Sequence, residues 1–99
     1  TVLSLALASA AFAQRAPATL FRGVRVFDGA RLLPAQDVLV EGGRIARLGR
    51  GLSAPAGAAV VDGAGRTLLP GLIDAHTHSY GDAGKAALAF GVTTELDMF

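Results

Sequence analysis

The stretch Leu69-Pro70-Gly71-Leu72-Ile73-Asp74-Ala75-His76-Thr77-His78 decides how the rest of the chain is read. It is an apolar run that ends in the only two histidines of the sequence, one residue apart. In an extended strand successive side chains alternate between faces, which puts Leu72, Asp74, His76 and His78 on one side and Ile73, Ala75 and Thr77 on the other. Same-face neighbours lie roughly 6.6 Å apart, so two rings leaning together can each bring a nitrogen to about 2.0–2.1 Å from one zinc ion. His-x-His alone is a weak pattern, and two surface or hydrogen-bonded strand histidines read equally well. The surroundings have to decide.

Downstream, Asp82 is a candidate helix N-cap. Ala83, Ala86, Ala87 and Phe90 then recur at the i, i+3, i+4, i+7 spacing of a helix with one buried face. Gly91 is placed to stop that helix, and Val92-Thr93-Thr94 opens a β-branched strand on which Glu95 and Asp97 share a face. Strand, helix and strand in this order predict a parallel βαβ step, with a crossover close to the minimum of about a dozen residues. Upstream, residues 20–27, 37–41 and 44–48 read as strands. Asp28-Gly29 breaks the first, and Gly42-Gly43 joins the other two in a tight hairpin. A loop over residues 51–58, Val60-Val61 and a turn at Gly63-Ala64-Gly65 lead into residues 66–69, completing a small antiparallel, β-sandwich-like unit. A barrel or open α/β domain is expected to follow it. Barrels collect their chemistry at the carboxyl ends of the strands, where His76 and His78 fall.

At 99 residues, 52% hydrophobic and with a net charge of +1, the chain lacks the basic, aromatic-interleaved surface of a nucleic-acid binder. It has no cysteine, so a metal here must be held by nitrogen and oxygen. Residues 1–13 are apolar and uncharged and end in Ala11-Phe12-Ala13. They read as a secretory signal peptide without its basic n-region, the alternatives being a buried helix or a retained anchor. Residues 14–19 follow as a linker. The expectation is a periplasmic or secreted protein with no stable membrane span. Upstream residues are expected before Thr1, and further chain after the unblunted strand that ends at Phe99.

Three passages resemble the N-terminus of the amidohydrolase superfamily of metal-dependent hydrolases. Val38-Leu39-Val40-Glu41-Gly42-Gly43-Arg44-Ile45 resembles its early hairpin, Pro70-Gly71-Leu72-Ile73-Asp74-Ala75-His76-Thr77-His78 its first barrel strand, and Phe90-Gly91-Val92-Thr93-Thr94 the start of its second. Within the superfamily the chain is most similar to the imidazolonepropionase-like and Xaa-Pro-dipeptidase-like amidohydrolases. The resemblance implies an α/β fold: the N-terminal part of a small β-sandwich over residues 20–69, then the opening βαβ step of an incomplete TIM (β/α)8 barrel over residues 70–99.

The resemblance further implies that His76 and His78 bind a divalent metal, most often zinc, as one or two ions. A metal-activated water would then hydrolyse C–N bonds of a small-molecule or peptide substrate. Asp74 is a candidate to orient a ligand imidazole, a buried structural aspartate being the equal alternative. Tyr80 and Asp82 are candidates to touch substrate. The remaining ligands and the general base are expected beyond residue 99, so no catalytic residue is assigned within the chain and the segment alone is expected to be inactive. The competing reading is a secreted non-catalytic β-rich binding module, or an inactive superfamily member, with structural histidines.

Overall fold

The computed structural model of the chain describes residues 17–98. The leader expected over residues 1–13 and the first part of the linker lie outside the described residues. β1 (Ala18–Phe27), β2 (Leu32–Glu41), β3 (Arg44–Gly49), β4 (Ala59–Asp62) and β5 (Thr67–Leu68) form one sheet, ordered β3-β2-β1-β4 with β5 also pairing β1. β2 and β3 are the antiparallel hairpin expected from the sequence. Glu41 pairs with Arg44, and Gly42 and Gly43 take φ angles of +57° and +74° in the two-residue turn between them.

The unit is mixed rather than antiparallel, because β4 and β5 both run parallel to β1. Residues 50–58 carry the chain across the sheet from β3 to the far side of β1. On the way Leu52 is buried with Leu20 and Leu39 on one face. The other face buries Val24, Val26 and Val38 against Phe21, Leu33, Val40 and Leu68. Both faces are therefore apolar, as the layers of a sandwich require. Outside the buried set, the second face is an open apolar trough of about 520 Å³ lined by residues including Phe21, Leu33, Val40, Ile45 and Leu48.

One buried carboxylate organises this sheet. Between Phe21↔Val38 and Val24↔Gln36 the register slips, β1 carrying one extra residue, and Gly23 takes the positive φ of +65° that such a bulge uses. Its N–H donates to Asp37 Oδ1 at 2.9 Å, while the Leu52 N–H donates to Asp37 Oδ2 at 3.0 Å. The Arg22 guanidinium lies 3.7 Å from the same Oδ2. Asp37, only 5% exposed, thus fastens the bulge in β1 to the crossover that carries Leu52. β4 and β5 are separate strands because β1 bulges between their pairing sites. There the Gly63 N–H reaches the Arg22 carbonyl at 2.8 Å and the Arg25 N–H the Arg66 carbonyl at 3.1 Å.

The second unit is the expected βαβ step: β6 (Leu72–Thr77), α1 (Ala83–Ala89) and β7 (Val92–Asp97), with β6 and β7 parallel. α1 packs on β7 and half-buries Ala83 and Ala87. Two expectations fail at its ends. Asp82 occupies the N-cap position but caps nothing; its carboxylate instead meets Lys85 Nζ at 2.6 Å in a pair too exposed to contribute much. Phe90 is 85% exposed, because it falls at the C-cap, where the helical stripe has already ended. Gly91, at φ +89°, ends the helix as expected. Among the described residues no helix is long and apolar enough to cross a membrane.

The Gly23 and Leu52 amides, helped by Arg22, hold the Asp37 carboxyl below its ordinary value of 3.8, and the amides of Arg31 and Ala30 do the same for Asp28. A carboxyl depressed by folding contributes stability that is complete above pH 3.8 and is lost as pH falls through the folded value. Urea denaturation of the protein carrying this chain should therefore show its midpoint falling below pH 3.8. D37N should lower the midpoint at neutral pH and flatten this acid dependence, leaving the part due to Asp28. An unchanged acid profile in D37N would contradict the role given to Asp37.

Candidate metal centre

Pro70 and Gly71 deliver the chain into β6, and glycine is required at the second position by contact rather than by backbone angle. A Cβ built on Gly71 would overlap the Thr93 side chain of β7, whose own Cβ would lie 2.7 Å away. Backbone hydrogen bonds bracket the pair at both ends: the Leu72 N–H donates to the Gly91 carbonyl at 2.8 Å, and the Met98 N–H to the Thr77 carbonyl at 3.0 Å. The carboxyl end of β6 is thereby held beside that of β7, and there the histidines stand.

His76 is in the last turn of the pleat and His78 is the first residue past the strand; both are exposed. Their ring centroids are 5.3 Å apart, with the ring planes at 72°. Two imidazoles each about 2.0–2.1 Å from a tetrahedral zinc have ring centres roughly 5 Å apart, so the pair has the spacing of two ligands of one ion. Among the described residues no group of three His, Cys, Asp or Glu side chains lies together as a metal cluster. The chain can supply two ligands of the three or four that a zinc site needs.

Asp74 reaches the main chain of the first histidine. Its Oδ1 accepts the backbone N–H of His76 at 3.1 Å, and the β6–β7 register shifts between Asp74↔Glu95 and Thr77↔Asp97, so strict alternation does not run through the segment. Its carboxylate fixes the main chain of the first histidine. Glu95 is half-buried and accepts a hydrogen bond from Ser79 at 3.0 Å, whereas Asp97 is exposed. Tyr80 and Asp82 are exposed in and after the loop that follows the histidines. Ser79 was missed by sequence reasoning, and nothing in the local pattern marks it, since its partner is on another strand.

No family model matches the chain. It is 53% identical over 60 residues to a dihydroorotase of Geobacter sulfurreducens, an alignment covering 60% of this chain and 14% of that protein. Its fold superimposes with a TM-score of 0.69 on a D-hydantoinase (dihydropyrimidinase) from a Thermus species, 30% identical, covering 80% of this chain and 20% of the hydantoinase. A prolidase solved with N-methylphosphonate-L-proline matches with a TM-score of 0.65 at 27% identity, covering 81% of this chain and 25% of the prolidase. The chain thus spans between 14% and 25% of the length of these relatives.

Replacing Gly71 by Ala should destabilise the protein by about 1–3 kcal/mol, the usual cost of forcing a methyl into a filled contact. In a double-mutant cycle, T93G should recover part of that loss in the G71A background, measured by urea unfolding. Additive effects would show that the two residues do not meet.

Proposed function

Because this chain belongs to the amidohydrolase superfamily, we propose that it is the N-terminal part of a metal-dependent hydrolase of C–N bonds in which His76 and His78 are metal ligands. The observation that carries this reading is the imidazole pair, 5.3 Å apart at the carboxyl end of the first strand of a parallel βαβ step. A divalent cation bound there, zinc being the first candidate, supplies a water of lowered pKa and polarises the scissile carbonyl. This chain's own share is to hold the two imidazoles side by side at a strand end, with the His76 main chain held by Asp74 and the Thr77 carbonyl held by Met98. The general base and the other ligands come from later strands of the barrel. The small mixed sheet precedes the barrel as the N-terminal part of its companion domain.

The names of the relatives suggest the substrate class. Hydantoinase, dihydropyrimidinase and dihydroorotase point to cyclic amides and prolidase to a peptide bond at proline. A small cyclic amide or an X-Pro dipeptide is therefore the proposed substrate. Export rests on residues 1–13 alone, and a periplasmic or secreted location is proposed on that basis.

In the full-length protein, H76A and H78A should each lower the bound divalent metal, measured by elemental analysis. Each should also reduce hydrolysis of a cyclic amide or X-Pro dipeptide by at least about a hundredfold, beyond the loss typical of residues that only support a ligand. Full activity in the double variant, or after chelation and removal of metal, would overturn the reading.

A further inference from the structure

A short chain of side-chain hydrogen bonds joins the residues on either side of His78 to β7. The Ser79 hydroxyl donates to Glu95 Oε2 at 3.0 Å, and Thr77 Oγ1 lies 3.1 Å from Ser79 Oγ. Serine has a single O–H and an ionised carboxylate can only accept, so with the Ser79 proton on Glu95 the Thr77 hydroxyl must donate to Ser79. The order Thr77 to Ser79 to Glu95 is thereby fixed, and each bond polarises the next. All three residues are half-buried, unlike His76 and His78. Glu95 Oε2 lies on the α1 side of the strands, 3.8 Å from where a Cβ on Gly84 would stand.

We infer that Glu95 is a positioning residue for the histidine pair, acting through Ser79 and Thr77. This rests on the reading of His76 and His78 as metal ligands. Thr77 separates the two histidines and Ser79 directly follows the second, so a tie to both residues constrains the backbone on each side of His78. Asp74 already holds the His76 N–H, and Met98 holds the Thr77 carbonyl. The Glu95 chain adds a side-chain tie from β7 to the residues on both sides of His78. A carboxylate that serves only the neighbouring strand's stability would not need to reach the loop beyond β6. Rings held in this way enter metal binding with less ordering left to do.

The test is Co2+ binding to the metal-free full-length protein, followed by its visible ligand-field bands, alongside thermal unfolding without metal. E95A and S79A should each weaken Co2+ binding about tenfold, at the lower end of the range for residues that support a ligand, and should shift the bands. E95Q keeps an acceptor oxygen for Ser79 and should recover most of the affinity. The E95A/S79A double variant should be no weaker than either single variant, because the residues act as one unit. Wild-type affinity and bands in E95A and S79A, with or without a loss of thermal stability, would overturn the inference while leaving the metal reading intact. A wild-type protein that takes up no Co2+ would overturn both.

Discussion

The close approach of Gly71 to Thr93 is the constraint on which the site depends. Where a side chain would fill the space, β6 and β7 could not lie together at their amino ends, and the parallel register from Leu72↔Val92 to Thr77↔Asp97 would open. With the strands seated, the short crossover through α1 returns the chain beside its starting point, and the carboxyl end of β6 is presented next to that of β7. This seating sets the end of β6 that carries His76 and His78 beside β7, while their closeness to each other comes from their spacing along the chain. Gly71, before the strand, is thus part of the candidate site's construction.

The preceding sheet is built on a different principle. It is organised from within by Asp37, a carboxylate that joins a bulge to a crossover, and its cost of burial is offset by two amide donors and a nearby guanidinium. Both of its faces are apolar, and one stays an open trough. β6 and β7 likewise leave Leu72, Ile73, Leu96 and Met98 exposed. Such faces are what remain when a sheet contributes one layer to a larger core, in keeping with a chain that spans a quarter or less of its relatives.

Much of this was legible in the sequence because it is local. The Gly42-Gly43 hairpin, the Gly91 helix stop, the parallel βαβ step and the adjacency of the histidines all follow from spacing along a few residues. Residues 32–36 were not read as strand because Pro34 interrupts the pattern. Pro34 is tolerated there because the register slips on the β1 side and β3 pairs β2 only from Asp37 onward. The parallel setting of β4 and β5 depends on where a nine-residue crossover lands, which periodicity does not encode. Asp74, Asp82 and Glu95 were assigned faces or caps by rule. The partners their carboxylates take, a backbone amide, a lysine and a serine, are decided by local register or by a neighbour distant in sequence.

The central claim is that one ion sits between the two imidazoles at the end of β6. Anomalous X-ray scattering at the metal edge from crystals of the full-length protein tests it most directly. The expected result is an anomalous peak at coordination distance, about 2.0–2.1 Å for zinc, from a nitrogen of both His76 and His78. An active, metal-loaded enzyme whose anomalous peak lies elsewhere, with these two rings in contact only with each other and with protein groups, would contradict it.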